Sequence, residues 1–222
     1  MLTKTDYKFV KIYLLVLVFE LVFTNISSLS AIHYITKPAL LVTLIMFFYK
    51  TSKSIDPFVK RFTLLGLIFS LIGDILLMFD NINSMFFTLG LSAFLIAHIM
   101  YILVFLKDRR AYKKGFFFLV ALTLYGLIFL HFLKPNLGSL LTPVIIYVLA
   151  ILGMTTTAFL RQKKGSETSY YLILIGALLF MLSDSLLAIH KFINPIPFEH
   201  ILIMSTYGIA QLLLVLGIQK SS

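Results

Sequence analysis

Two aspartates lie within long apolar segments and have closely similar neighbours. Asp74 stands in the sequence Leu-Ile-Gly-Asp-Ile-Leu-Leu at 71–77, and Asp184 stands in Met-Leu-Ser-Asp-Ser-Leu-Leu at 181–187. An ionised carboxylate in hydrocarbon costs roughly 2.5–3.5 kcal/mol even on the translocon insertion scale. Because this chain bears that cost at two matched positions, we predict that Asp74 and Asp184 take part in catalysis or in transport.

Two carboxylates in a site of low dielectric constant share one proton, because both cannot readily ionise. One can then act as a general acid, while the other remains an anion that stabilises a developing cation and orients water. The sequence does not decide which of Asp74 and Asp184 has which role. No metal and no cofactor are predicted, since the chain has neither a cysteine nor a His-Glu-x-x-His motif.

Two lysines are predicted to lie above the aspartates at the outer ends of their helices. Lys191 follows Asp184 by seven residues, which places it on the same helix face about 10 Å further along. Lys37 precedes Pro38 at the beginning of the second apolar segment. We predict that both lysines contact a phosphate group, although lysines at a membrane interface also extend into water without any ligand.

Other polar side chains lie inside or at the ends of the apolar segments. His98, Tyr101, Tyr207 and Gln211 are candidate substrate-binding residues, although such side chains more often join helices by hydrogen bonds. His98 is expected about two turns deeper than Asp74, which argues against a direct contact with the aspartates. Glu20 is a third carboxylate within an apolar segment, and no role is predicted for it. Four histidines lie at the outer ends, where they could converge: His33, His131, His190 and His200.

Apolar segments of membrane-spanning length recur along the whole chain. Hydrophobic residues make up 60% of the sequence, charged residues 13%, and the mean hydropathy is +1.01. A soluble domain averages about 45–50% apolar and about 25% charged residues. We therefore predict an all-α, polytopic membrane helical bundle that forms a single domain over residues 1–222. The eight predicted transmembrane helices are 9–29, 34–49, 62–79, 86–106, 115–133, 139–160, 169–189 and 198–218.

The distribution of positive charge predicts how the helices are oriented. Of the 19 lysines and arginines, 16 lie on one side of the predicted arrangement, and only Lys37, Lys134 and Lys191 lie on the other. By the positive-inside rule, both termini are predicted to be cytoplasmic. The net charge of +10 is attributed to these loops and to anionic lipid headgroups, so the lipid bilayer is an expected partner and nucleic acid is not. In a bacterium the membrane would be the cytoplasmic one. The oligomeric state is not predicted.

The two halves of the chain resemble each other weakly. Thr36-Lys37-Pro38 is similar to Leu141-Thr142-Pro143, and the two aspartate segments align at an offset of 110 residues. Because each half would contain an even number of spans, the halves would form a parallel four-helix repeat related by an axis along the membrane normal. Such a repeat would bring Asp74 and Asp184 to equal depth on facing helices.

The order of these motifs resembles that of the YhhN/TMEM86 family. The resemblance covers nearly the whole length and rests on Lys37-Pro38, Gly73-Asp74 with Leu76-Leu77, Phe94 with His98 and Tyr101, Ser183-Asp184, and Tyr207 with Gln211. The family implies lysoplasmalogenase activity, which is hydrolysis of the vinyl ether of a lysophospholipid to a fatty aldehyde and a glycerophospho-headgroup. By this resemblance the paired aspartates would be catalytic, and Lys37, His98, Tyr101, Tyr207 and Gln211 would line the pocket.

A transporter remains the main alternative to a hydrolase. Matched carboxylates within a repeat are also typical of a carrier that is coupled to protons or cations. Against this alternative, the predicted site lies toward one face of the membrane. The apolar segments also lack paired mid-span glycines and prolines, which would indicate unwound helices.

Overall fold

A computed structural model describes residues 3–24, 32–107, 114–161 and 166–221, excluding the side chain of Lys114. The described residues form α-helices and a short 3-10 helix, Gly138–Leu140, and they contain no strand. The all-α prediction is therefore confirmed for this part of the chain. In chain order the helices are α1 Lys4–Thr24, α2 His33–Thr51, α3 Pro57–Leu77, α4 Ser84–Lys107, α5 Lys114–Leu137, α6 Leu141–Leu160, α7 Glu167–Phe192 and α8 Glu199–Gln219.

Four helical stretches of the described chain are long and apolar enough to cross a membrane. They are Ser84–Lys107, Gly115–Leu160 (which contains most of α5 and all of α6), Glu167–Phe192 and Glu199–Gln219. These stretches support an integral membrane protein, whereas the predicted number of eight spans stays a prediction. Residues 25–29 of the first predicted span lie outside the described residues, as do the basic segments 108–113 and 162–165.

Local sequence signals explain several of the helix ends. Asp56 precedes α3, and its carboxylate accepts hydrogen bonds from the backbone N–H groups of Phe58 at 2.9 Å and Val59 at 3.2 Å. Pro57 occupies the first helical position, where its missing N–H costs nothing. The ammonium of Lys107 at the end of α4 pairs with Asp56, and this hydrogen bond holds the pKa of Asp56 below its usual value. The ion pair thus joins the start of α3 to the end of α4.

Helix α3 packs closely on α4, and α7 packs closely on α8. A glycine permits the first approach: a Cβ atom at Gly73 would lie 2.6 Å from the ring of Phe94, which is closer than real Cβ atoms come to other atoms. At Gly176 of α7, a Cβ atom would lie 3.1 Å from the backbone oxygen of Ala210 on α8. Small residues let membrane helices approach in this way. Gly73 directly precedes Asp74, so the same contact fixes the position of that aspartate.

Candidate functional site

Asp74 is held near the end of α3 by side chains from two other helices. Its side chain is buried, and the whole residue is 2% exposed. The hydroxyl of Tyr207 on α8 donates a hydrogen bond of 2.8 Å to Asp74 Oδ2. The ammonium of Lys37 on α2 lies 3.9 Å from Asp74 Oδ1. This carboxylate therefore has both a hydrogen-bond donor and a cationic partner, which a buried charge requires.

A chain of buried hydrogen bonds holds Tyr207 in place. Gln211 lies one turn further along α8, and its Nε2 atom donates to Ser70 Oγ at 3.0 Å and to the hydroxyl of Tyr207 at 3.4 Å. The hydroxyl of Tyr101 on α4 donates to Gln211 Oε1 at 2.8 Å. The sequence predicted Tyr101 and Gln211 as substrate-binding residues. In the structure both are fully buried, and their hydrogen-bond network connects α3, α4 and α8.

Asp184 on α7 has a different set of neighbours. The hydroxyl of Tyr147 on α6 donates a hydrogen bond of 2.6 Å to Asp184 Oδ2. His98 Nε2 on α4 lies 3.7 Å from the same oxygen. The Asp184 side chain is 15% exposed, so it is more accessible than that of Asp74.

The contact between His98 and Asp184 corrects the sequence argument, which placed His98 too deep to reach an aspartate. Helix α7 continues to Phe192, whereas its predicted end was residue 189. Asp184 therefore lies eight residues, or about 12 Å, below the end of its helix. The 3.7 Å distance, rather than residue counts from the helix ends, shows that His98 and Asp184 lie side by side.

Both aspartates line one polar cavity of about 650 Å³. The wall of this cavity also contains Lys37, Lys191 and Tyr207, so it combines cations with the two carboxylates. It lies at the end of the bundle that carries residues 78–83, between α3 and α4, and residues 193–198, between α7 and α8. We call this end the site end.

A second, narrow cavity of about 50 Å³ adjoins the first and is almost entirely apolar. It is bounded mainly by aromatic and aliphatic side chains of α4, α5, α6 and α7, among them Phe129, Val148 and Ala188. Asp184 and Phe94 line both cavities, whereas Asp74 lines only the polar one. Asp184 therefore lies at the junction between a polar and an apolar compartment.

Lys191 lines the polar cavity together with Asp184. However, its ammonium donates a hydrogen bond of 2.8 Å to Asp80 Oδ2. It also lies 5.1 Å from the ring centroid of Phe87. Lys191 therefore already has an anionic partner, and a bound phosphate would have to share its charge with Asp80.

The sequence argument missed two parts of the site end. Tyr147 was not selected, because a single tyrosine in an apolar helix gives no signal of the carboxylate that it contacts. The second part is a cluster in which Glu20 Oε1 lies 2.6 Å from His33 Nδ1 and 3.2 Å from His200 Nε2. The placement of rim histidines at one end was the available signal for this cluster, although His131 and His190 do not belong to it.

A helical bundle with stretches of membrane-spanning length and two aspartates around one polar cavity defines a class of integral membrane protein with a polar site inside the bundle. The sequence model of the YhhN family matches residues 32–218, and the chain belongs to this family. The family resemblance that the order of the motifs indicated is thereby confirmed.

Curated relatives of the chain carry lysoplasmalogenase names. It is 34% identical over 160 residues to lysoplasmalogenase TMEM86A of Bos taurus, a match that covers 70% of this chain and 64% of the relative. It is 35% identical over 159 residues to lysoplasmalogenase TMEM86B of Sus scrofa, with 70% and 62% covered. A lysoplasmalogenase of Mycobacterium bovis is 32% identical over 136 residues, with 59% and 50% covered. The matches thus span less than two thirds of these relatives. No solved structure matches the chain.

Proposed function

We propose that this protein is a membrane-embedded hydrolase that cleaves the vinyl ether bond of lysoplasmalogens. The observation that carries the proposal is the position of Asp184 between the polar and the apolar cavity. In a lysoplasmalogen the vinyl ether joins a polar glycerophospho-headgroup to an apolar chain. A substrate with its headgroup in the polar cavity and the first carbons of its chain in the apolar one would present that bond to Asp184. Membership of a family whose curated relatives are named lysoplasmalogenases supports the same substrate.

The reaction begins with proton transfer to the alkene carbon that is beta to the ether oxygen. We assign this transfer to Asp184, as the carboxylic acid, because it lies at the junction. A C–H bond forms, the carbon attached to oxygen becomes an oxocarbenium ion, and Asp184 is left as a carboxylate. The carboxylate of Asp74 remains ionised beside Lys37 and stabilises the cation across the cavity.

Water then adds to the oxocarbenium carbon, and its proton passes to the Asp184 carboxylate, which restores the acid. The product of this step is a hemiacetal. Its hydroxyl loses a proton, the bond from carbon to the glycerol oxygen breaks, and that oxygen takes up a proton. The balanced products are a fatty aldehyde and a glycerophospho-headgroup. Tyr147 and Tyr207 hold the two carboxylates in position by their hydrogen bonds throughout.

Lys37 is the proposed contact for the substrate phosphate, and Lys191 is a second contact that shares its charge with Asp80. We also propose the finer arrangement that the charge distribution predicts: eight spans in one membrane domain, with both termini cytoplasmic and the site end facing outward. In a bacterium this membrane would be the cytoplasmic one. The parallel repeat is supported by an exchange of contacts between the halves. His98 of α4 contacts the second aspartate, and Tyr207 of α8 contacts the first.

The test is a comparison of three lysophospholipids that share one headgroup and one chain length. Purified protein in lipid nanodiscs receives 1-alkenyl, 1-alkyl and 1-acyl forms, and the release of aldehyde, alcohol and fatty acid is measured. We expect aldehyde from the 1-alkenyl form and no cleavage of the 1-alkyl form, because a saturated ether has no alkene to protonate. Folded protein that releases no aldehyde would contradict the proposal. The same preparation in liposomes, assayed for proton-coupled uptake, would then test the transporter alternative.

A further inference from the structure

The geometry points to a binding site for a divalent metal ion of the zinc class at Glu20, His33 and His200, with one coordination position open to the polar cavity. These residues come from α1, α2 and α8, which meet at the site end. One ligand atom from each residue lies within 4.8 Å of the other two. The inference concerns metal binding alone, so it stands independently of the proposed function. It also departs from the sequence argument, which predicted no metal.

The ligand set matches the chemistry of zinc. Two imidazoles and one carboxylate are a recognised set of three protein ligands, and such sites keep a fourth position for water or substrate. Tetrahedral bonds of about 2.0–2.1 Å separate neighbouring ligand atoms by about 3.3 Å. Glu20 Oε1 already lies 3.2 Å from His200 Nε2, and its 2.6 Å hydrogen bond to His33 Nδ1 would have to lengthen by about 0.7 Å. These two separations therefore need to change by no more than about 0.7 Å, and the two histidine nitrogens already lie within 4.8 Å of each other.

The burial of the cluster also favours a bound cation. Glu20 is fully buried, while the side chains of His33 and His200 are 17% and 20% exposed. A buried carboxylate requires a partner of opposite charge, and a divalent ion between Glu20 and the two imidazoles would be such a partner. His200 Nε2 is buried and makes no hydrogen bond of good geometry among the described residues, although it points at the Glu20 carboxylate. A metal ion would satisfy the carboxylate and both imidazoles at once.

A hydroxyl outside the cluster orients the carboxylate. Thr36, one turn after His33 on α2, donates a short hydrogen bond to Glu20 Oε2. This bond leaves Oε1 directed at the two histidines. Partners of this kind are typical of metal sites, where they fix the ligand geometry. Thr36 is thus a positioning residue rather than a ligand.

The open position would face the polar cavity, because His33 and His200 both line that cavity together with Lys37 and Asp74. An ion at this place would present a Lewis-acidic position beside Lys37. A hard anionic oxygen, such as that of a phosphate group, is the class of ligand that fits this position. The free anion and a lipid headgroup offer the same oxygen chemistry, so inorganic phosphate serves as the probe.

The experiment measures metal binding by the full chain in nanodiscs. Protein is stripped with a chelator, exposed to Zn²⁺ and freed of excess ion, and its metal content is determined by mass spectrometry. We expect one Zn²⁺ per chain and a rise in the thermal unfolding temperature on Zn²⁺ addition. Glu20→Gln and His200→Gln should each weaken binding at least about tenfold, and Thr36→Val should do so more mildly. His131→Gln, which alters an exposed histidine outside the cluster, is the matched control and should bind like the parent.

Either of two results would overturn the site. One is a parent chain that retains no Zn²⁺ and shows no thermal shift, which would leave a hydrogen-bonded Glu–His cluster. The other is Zn²⁺ binding that survives both His200→Gln and Glu20→Gln. The open position has its own readout in the visible spectrum of the Co²⁺-loaded chain. Inorganic phosphate should change this spectrum in the parent, and an unchanged spectrum would contradict the open position. All of these readouts are independent of lysophospholipid cleavage.

Discussion

The surroundings of Asp74 and Asp184 differ much more than their sequences do. Each carboxylate accepts a hydrogen bond from a tyrosine on another helix, Tyr207 in the first case and Tyr147 in the second. Beyond this shared feature, Asp74 has the Lys37 ammonium beside it and lines only the polar cavity. Asp184 has His98 beside it and also borders the apolar cavity.

This difference indicates a division of labour that the matched sequences conceal. A carboxylate beside a lysine is stabilised as an anion, and Asp74 is therefore suited to balance the charge of a cation in the cavity. Asp184 lies where the polar and apolar parts of an amphipathic substrate would meet, so it is suited to deliver a proton to the bond between them. The following variants test this assignment.

Replacement of either aspartate should have the largest effect. Asp184→Asn removes the proposed acid and Asp74→Asn removes the proposed anion, so kcat should fall by about 100-fold or more in each case. The readout is aldehyde release from a 1-alkenyl lysophospholipid. Asp56→Asn is a matched control, because asparagine still caps α3 and Asp56 lies at the opposite end of the bundle. Near-parental release by either site variant would remove that aspartate from the mechanism.

The tyrosines should separate the two aspartates more finely. Tyr147→Phe deletes the hydrogen bond to Asp184, which strengthens as Asp184 gives up its proton and becomes charged. A bond to a charged acceptor is worth about 1.5–3 kcal/mol, so kcat should fall by about 30-fold. Tyr207→Phe also breaks the network through Gln211, so it should lower the thermal unfolding temperature more than Tyr147→Phe does. The measurements are steady-state kinetics and thermal unfolding.

Tyr13→Phe is the control for this pair. It removes a buried hydroxyl whose hydrogen bond goes to the backbone oxygen of Gly208 and not to an aspartate. Its kcat should equal that of the parent, even if its unfolding temperature drops. Equal kcat values for Tyr147→Phe and Tyr13→Phe would show that the hydrogen bond to Asp184 does not contribute to turnover.

The helices were predictable from the sequence because each long apolar segment requires an internally hydrogen-bonded backbone in lipid. Each described helix overlaps one predicted segment, and the family was recognisable from the order of short motifs. Asp74 and Asp184 could be selected because a charge in an apolar segment is costly wherever its helix points. The free-energy cost of a charge in an apolar segment can be recognised from that segment alone.

Partnerships between helices were not predictable in the same way. Whether Tyr147 faces Asp184 depends on the rotation and depth of α6 and α7, and a shift of one residue turns a side chain by about 100°. The contact between His98 and Asp184 was missed for this reason, since residue counts from predicted helix ends do not fix the relative depths of two helices. The cluster of Glu20, His33 and His200 requires three helix ends to meet, which spacing along the chain does not encode.

The apolar cavity next to Asp184 allows a test of where the alkenyl chain of the substrate binds. Ala188 lines this cavity, and Ala188→Phe would place a ring in a space of about 50 Å³. Overpacking of this kind costs about 1–3 kcal/mol, so kcat/KM for long-chain substrates should fall by about tenfold while short-chain substrates are affected less. The readout is kcat/KM across a series of alkenyl chain lengths. Ala121→Phe, at an exposed position on α5, is the matched control. An equal loss of kcat/KM at every alkenyl chain length would show that the alkenyl chain does not bind in this cavity.

Replacement of Lys37 or Lys191 should have the smallest effects, and the effect on KM should be larger for Lys37, the lysine beside Asp74. Lys37→Met removes the cation beside Asp74, so some loss of kcat is expected. It should also raise KM by about fivefold, which corresponds to about 1 kcal/mol of phosphate binding. Lys191→Met should raise KM by only about twofold, because the Lys191 ammonium is already paired with the Asp80 carboxylate. Lys134→Met, an exposed change near the same end of the bundle, should leave KM unchanged.

The double variant Lys37→Met/Asp80→Asn, in which Lys191 is intact, tests this last prediction further. Asp80→Asn frees the Lys191 ammonium from its carboxylate partner. The double variant should therefore bind substrate more tightly than Lys37→Met alone. The recovered affinity should shrink as ionic strength rises, because the contact is between charges at a partly exposed site. If neither lysine variant changes KM, the phosphate is held by other groups. The cavity cations would then serve only to balance Asp74 and Asp80, and Asp74 would keep its role without a lysine contact to the substrate.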